Sequence, residues 1–365
     1  MNNTYRFTTT CSILMLISSL SFGSGATELE RFSNADTVVK QTLTKHEQYS
    51  GLVSIYSTRD NQLVKHYANG LANRKTNTSF TEDTVFDIAS ITKQFTGAAI
   101  VKLASEGRLT YLDRLDRHLA GLAPHLAKLT LHHLLTHTSG ITDETGDDYA
   151  SVSQQDVINK LNDEPLKFPI GSYHYSNLGY SLLTMVIEQV SGLSYDAYLA
   201  KAFFKPLAMT NTGYRLPKYS DDEVSVGYTD NGVWGQPHKK NWAVDGPYWN
   251  LRGNGGLLSS VSDLAKWVKA LHNNKVFTKP ETQALFGRYV QEYDSMLSYY
   301  GYGWVSEDLP SGRELVWHNG SNGVFTAELR YYPQDEVFFV AVANSSKAPV
   351  YLIAEPLHQA LVESK

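Results

Sequence analysis

The chain has 365 residues, long enough for one large core or for two domains, and its 42% hydrophobic and 19% charged content is that of a folded protein. A net charge of −5 with no basic stripe sets aside nucleic acid as a partner. No stretch is long and apolar enough to cross a bilayer, which sets aside a transmembrane segment in the mature chain.

Residues 1–26 read as a signal peptide. Arg6 is their only charge, the run Ile13–Leu20 is apolar, and Ser24-Gly25-Ala26 offers small residues for cleavage after Ala26. Cys11, the only cysteine, falls inside this segment, so the mature chain carries no disulfide and its net charge moves from −5 to −6. The expectation is export, to the periplasm or the extracellular space.

The helical spacing of Val38, Val39 and Leu43 predicts a first helix over 35–48. Gly51–Thr58 is β-branched and apolar and reads as a strand; a turn at Arg59-Asp60-Asn61 returns the chain as a second strand over Gln62–Ala68. After a polar loop at 70–85, apolar residues at Phe95, Ala98, Ala99 and Leu103 predict a buried helix from Ser90 to near Gly107. That helix would place Ser90 and Lys93 one turn apart on one face, with Ser90 at the electropositive start. A serine hydroxyl needs a neighbouring base, and a lysine made neutral by burial can be one. Alone, the pair reads more readily as a helix cap with a solvated lysine.

From there to about residue 300 the pattern is mostly helix and loop. His133 and His137 lack the glutamate of a zinc-protease motif and read as structural. The acidic run Asp143, Glu144, Asp147, Asp148 lacks calcium-loop spacing and reads as a solvated loop, and Arg252-Gly-Asn-Gly-Gly lacks the lysine of a phosphate loop. No metal and no cofactor is expected. Leu178–Ser191, Tyr195–Phe204 and Ser259–His272 read as helices, and 217–256 as a long loop with a short hairpin. Glu314–Trp317, Val324–Tyr332 and Val337–Ala343 read as strands, with a turn at Pro333–Glu336, and Tyr351–Val362 as a final helix. Strands thus fall at both ends and helices between them. The predicted fold class is α+β: an antiparallel sheet built from both chain ends, flanked by helices, with an inserted, mostly helical domain. The sheet part would be 27–89 and about 301–365, and the helical part about 90–300.

Two further motifs follow Ser90-Ile-Thr-Lys93 in order: Tyr175-Ser176-Asn177 before a helix, and His318-Asn319-Gly320-Ser321 at a strand end. In this ordered set the chain resembles the serine β-lactamase and penicillin-binding protein family, especially its class C and D-Ala-D-Ala carboxypeptidase-like branch. Phe86–Lys93, Leu134-Leu-Thr-His-Thr-Ser-Gly140 and Gly255-Gly-Leu-Leu-Ser259 share the likeness, which covers roughly residues 35–363. The resemblance implies the β-lactamase/transpeptidase-like fold and hydrolysis through an acyl-enzyme on Ser90. It gives Lys93 and Tyr175 a shared proton shuttle, in which a cationic lysine beside the phenol would lower the phenol's pKa. Asn177 would bind a substrate amide, and the backbone N–H groups of Ser90 and Ser321 would form an oxyanion hole next to Gly320. The substrate would be a small molecule or peptide: a D-alanyl peptide, a β-lactam, or a related amide or ester.

His318 departs from the lysine that many β-lactamases carry there. A histidine is partly charged near neutral pH, so His318 is expected to grip a substrate carboxylate less firmly than lysine does. That leaves a carboxylic esterase open, and no separate residue stands out for lactam deacylation. The Gly-x-Ser-x-Gly of α/β-hydrolases is absent, since Asn319 stands at the first position of the nearest match. A non-catalytic binding or sensor module is the rival of another class. Loss of Ser90, Lys93 or Tyr175 would have signalled it, and all three are present.

Overall fold

The structure is a computed structural model that describes residues 28–363 except 61, 144–145 and 295–296, with side chains from 32 to 362. The expected signal peptide with Cys11, the turn residue Asn61, and Glu144 of the acidic run lie outside the described residues.

Helix α1 (Glu28–Lys45) leads into the hairpin β1 (Gly51–Ser57) and β2 (Leu63–Asn69). Strand β3 (Val85–Asp87) is followed by a 3₁₀ turn, Ala89–Ile91, and then by α2 (Thr92–Ser105). The middle of the chain holds α3 (Pro124–Ala127), α4 (Leu131–Leu135), α5 (Gln154–Asp163), α6 (Asn177–Ser191) and α7 (Tyr195–Leu199), the last running into a π-helical turn at Ala200–Phe204. A small hairpin, β4 (Gly227–Thr229) and β5 (Gly232–Gly235), precedes β6 (Leu258–Ser260), α8 (Val261–His272) and α9 (Lys279–Leu285). The chain closes with β7 (Val290–Gln291), β8 (Ser298–Tyr300), β9 (Val305–Asp308), β10 (Glu314–Ser321), β11 (Thr326–Tyr332), β12 (Val337–Ala343) and α10 (Tyr351–Glu363).

Among the described residues, eight strands form one antiparallel sheet in the order β2-β1-β12-β11-β10-β9-β8-β7. Strand β1 from the start of the chain lies beside β12 from its end, with Ile55 opposite Phe339. Both strands are buried along their whole length because both faces of the sheet are covered. Successive side chains point to opposite faces, so each strand feeds two cores. Val53, Ile55 and Phe339 meet Ala35 and Val39 of α1 and Ile353 and Leu357 of α10. Leu52, Phe338 and Val340 turn the other way, toward the larger core that contains α2, α6 and α8. The α+β class and the sheet built from both ends are as the sequence predicts.

Three local expectations change. The first helix begins at Glu28 rather than at 35. Ser259 pairs with Phe86 in the β3–β6 ribbon, so helix α8 starts two residues later, at Val261. The region read as helix and loop up to 300 already contains β7 and β8. These strands are only two and three residues long, too short to show an alternation.

Helix α2 carries the site and is buried on nearly every side, including its polar Thr92, Lys93, Gln94 and Thr96. Its apolar residues, Phe95, Ala98, Ala99, Ile100, Val101 and Leu103, all lie in the larger core. Gly97 lets the chain at Tyr302 lie directly against it: a Cβ there would stand 2.2 Å from the Tyr302 carbonyl oxygen.

Candidate active site

Ser90 does not begin the α-helix. It is the middle residue of the 3₁₀ turn that joins β3 to α2, and the α-helix proper starts at Thr92. Ala89, just before it, has φ +44°, a region that a residue with a Cβ rarely occupies. Such strain persists only where neighbours hold it, and here they are visible. The Asp87 carboxylate accepts from the Ala89 N–H at 2.8 Å. Thr92 donates its hydroxyl to the Ala89 carbonyl at 2.6 Å and accepts from Leu257 N–H at 3.1 Å. The turn is thereby tied to the β6 side.

Lys93 is fully buried beneath this turn. Its Nζ lies 2.7 Å from Asn177 Oδ1, 2.7 Å from the Asn254 carbonyl oxygen and 3.2 Å from Ser90 Oγ. Burial drives its pKa down to about 7, against the upward pull of the Asp143 and Asp148 carboxylates. A neutral amine has two N–H donors and one lone pair. The two short contacts, both to obligate acceptors, take the donors and leave the lone pair for the Ser90 hydroxyl proton.

Tyr175 stands across from Lys93, whose Nζ is 4.7 Å from the phenol ring centroid. Burial pushes the Tyr175 pKa up, beyond what a hydrogen bond with Ser90 takes back, and Asp143 and Glu292 push it further. The expectation that Lys93 lowers the phenol's pKa is therefore corrected. In this site the lysine is the group brought toward neutrality, while the tyrosine is held as a phenol that can donate a proton.

The turn bearing Tyr175 is held from the α4 side. His137, at φ +57°, accepts from the Ser176 N–H through Nδ1 at 3.0 Å, and its ring centroid lies 4.2 Å from that of Tyr175. His133 accepts from the Thr130 N–H in the capping box of α4. Both histidines act within the scaffold, but His137 lies beyond the end of the helix, not on one face with His133. The N-cap of α6 is Ser176, and Asn177 is the first helical residue, with its side-chain oxygen turned to Lys93. Asp143 accepts from the Asn177 N–H at 2.8 Å. This part of the acidic run therefore serves the site rather than only solvent.

Strand β10 forms the opposite wall. Its pairing with β9 stops at Trp317, while its pairing with β11 continues to Ser321. The last four residues thus present one free edge, and the Ser90 turn lies against it. A Cβ on Gly320 would stand 2.4 Å from the Ile88 carbonyl oxygen and 2.9 Å from the Ser90 nitrogen, so only glycine permits this approach. Ser321 and Asn319 are exposed. Ser90, Tyr175, Asn177, Asn319, Gly320 and Ser321 together line a cleft of about 520 Å³.

His318 does not join them as a charged group. Its side chain is buried, with Nδ1 2.6 Å from the Asn319 carbonyl oxygen and Nε2 3.0 Å from the Tyr300 hydroxyl. Burial, reinforced by the Lys93 charge, takes its pKa down to about 3. The expectation of a partly charged His318 at neutral pH is corrected: an imidazole shut in among Tyr300, His137 and β10 is neutral.

Sequence reasoning missed Asn254. It acts on Lys93 through its backbone carbonyl, which any residue could supply, and its side chain is fixed by Ser181 and the Asn250 carbonyl.

The family model described as Beta-lactamase matches residues 37–363. Penicillin-binding protein 4* of Bacillus subtilis (strain 168) is 30% identical over 312 residues, covering 80% of this chain and 67% of that protein. The chain spans about two thirds of the length of the curated relatives it matches. Among solved structures, the octameric penicillin-binding protein homologue from Pyrococcus abyssi aligns with a TM-score of 0.76 at 28% identity, over 91% of this chain and 77% of that one. A penicillin-binding protein from Bacillus halodurans aligns with a TM-score of 0.74 at 26% identity, over 88% and 98%.

Proposed function

The chain belongs to the beta-lactamase family, and on that footing we propose that it is a serine hydrolase working through an acyl-enzyme on Ser90. The observation that carries this reading is the buried Lys93, whose amine has its two donors occupied at 2.7 Å and its third contact at Ser90 Oγ. In the proposed reaction, Ser90 passes its proton to the neutral Lys93 as Oγ attacks a carbonyl carbon. Charge on the carbonyl oxygen is met by the backbone N–H groups of Ser90 and Ser321, each such donor being worth about 3 kcal/mol of barrier. Tyr175, held as a phenol, gives a proton to the departing amine or alcohol and is reprotonated at the expense of Lys93. Water then attacks the acyl carbon with the same groups, releasing the acid and restoring Ser90. Asn177 holds Lys93 and is free to meet a substrate amide at the cleft.

The substrates are D-alanyl peptides, β-lactams, or related amides and esters. The neutral His318 favours those without a carboxylate, and among the described residues the cleft lining includes no lysine, arginine or histidine but does include Glu328. A carboxylic ester or an uncharged amide is therefore the favoured class. We place the reaction outside the cytoplasm, on the reading of residues 1–26 as a signal peptide.

A panel of a p-nitrophenyl ester, a D-alanyl peptide and a cephalosporin, run on the parent protein and on Ser90→Ala, tests this. Turnover of the ester, lost in Ser90→Ala, is expected. An adduct that forms but never turns over would mark a binding module instead. Ester turnover undiminished in Ser90→Ala would end the proposal.

A further inference from the structure

Asp87 lies three residues before Ser90, at the end of β3, and is 1% exposed. Burial pushes its carboxyl up to about 6, and hydrogen bonds from Ala89 and Asn322 pull it back. Those two bonds run in different directions. One oxygen accepts from the Ala89 N–H at 2.8 Å, inside the strained turn that presents Ser90. The other accepts from Asn322 Nδ2 at 2.8 Å, 235 residues away in sequence. Asn322 follows Ser321 directly and organises the turn between β10 and β11. Its side-chain oxygen accepts from Val324 N–H at 3.0 Å and Phe325 N–H at 2.8 Å, and its own N–H donates to the Phe325 carbonyl at 3.1 Å.

One buried carboxylate thus bridges the two segments whose backbone N–H groups would face a substrate oxygen. We propose that Asp87 is a positioning residue, which sets the separation of the Ser90 and Ser321 N–H donors by holding Ala89 with one oxygen and Asn322 with the other. The proposal rests on the acyl-enzyme reading above. Ala89 at φ +44° would relax toward an ordinary conformation without this hold, and the β10–β11 turn would lose its anchor to the Ser90 side. Donors that stabilise an oxyanion act only when they are fixed before the reaction, so a small shift costs rate rather than binding.

The test compares Asp87→Asn, Asn322→Asp, Asn322→Ala and the double exchange Asp87→Asn/Asn322→Asp, using p-nitrophenyl acetate as the acylating probe. In Asp87→Asn the introduced amide can still accept from Ala89, but it turns N–H donors toward the Asn322 amide. In Asn322→Asp two carboxylates face each other. Each single change should lower the saturating rate of acylation on the order of 10-fold to 100-fold, with the half-saturating concentration moved less than about threefold. The double exchange restores one amide and one carboxylate with roles reversed, and should return the rate to within about threefold of the parent. Asn322→Ala leaves the Ala89 bond in place and serves if the buried changes prevent folding; it should lose about tenfold in rate while still melting cooperatively. Folded single variants at the parental rate would overturn the proposal. So would a folded double exchange as slow as the singles. A parent protein that p-nitrophenyl acetate never acylates at Ser90 would overturn the acyl-enzyme reading itself, and the clamp with it.

Discussion

A lysine side chain is ordinarily protonated at neutral pH, and at Lys93 burial brings it to about 7. Below that value the amine is an ammonium with no lone pair for Ser90; above it the amine is free to accept. Acylation by an uncharged ester should therefore rise with pH through about 7 and then level off. The carboxylates Asp143 and Asp148 oppose the shift, while His137 and His318 are neutral there and add no limb of their own. A stopped-flow rate that stays flat from roughly pH 6 to 8 would contradict this, since a base of pKa about 7 must titrate in that window. Tyr175 makes a different prediction. If it protonates the leaving group, Tyr175→Phe should cost on the order of 10²–10⁴ in rate on an amide. On a p-nitrophenyl ester, whose leaving group needs no proton, the loss should be under about tenfold. Comparable losses on both would move Tyr175 to another role. The meeting of Ser90, Lys93, Tyr175 and Asn177 in one place was legible in the sequence because each motif carries recognisable side-chain chemistry at a fixed internal spacing. Asn254 was not, since only its backbone oxygen reaches Lys93. Asp143 read as a solvated loop because nothing in its own segment reveals that it accepts from the Asn177 N–H at the start of α6.

At the scale of elements, the site depends on how closely β10 and the Tyr302 segment approach the Ser90 turn and α2. Gly97→Ala would set a methyl 2.2 Å from the Tyr302 carbonyl oxygen, with backbone rather than a flexible side chain in the way. We predict a loss of about 1–3 kcal/mol of stability from overpacking, read as a lower denaturation midpoint in urea. An unchanged or higher midpoint would show that α2 can shift freely. Long elements with a clear pattern were legible: β1, β11 and β12 by their apolar runs, β2 as the return strand after a turn, and α2, α6 and α8 by their apolar spacing. Strands β3, β6 and β7–β9 were not, for they hold two to four residues each, too few to show a period, and β3 and β6 exist only by pairing with each other across the chain. The start of α2 was misplaced by two residues because a 3₁₀ turn and an α-helix share the same apolar spacing over so short a span.

Over the whole molecule, the sheet separates two cores with different duties. The layer of α1 and α10 closes one face, and Ser90, Lys93 and Tyr175 lie on the other side, around α2, with Tyr351 at the start of α10 reaching the cleft. Leu357→Ala, in a fully buried position of α10, should lower stability by about 2–5 kcal/mol and leave the acylation rate unchanged well below the melting temperature. A matching fall in acylation rate would mean that the outer layer tunes the site. The union of both chain ends in one sheet brings β10 to the Ser90 turn, and the proposed reaction depends on that meeting. The most direct test is intact-mass spectrometry of the protein after brief exposure to an activated ester, followed by peptide mapping. A single acyl adduct on the peptide bearing Ser90, absent in Ser90→Ala and strongly reduced in Lys93→Ala, is the predicted result. An adduct on any other residue, or one that forms as fast in Ser90→Ala as in the parent, would contradict it.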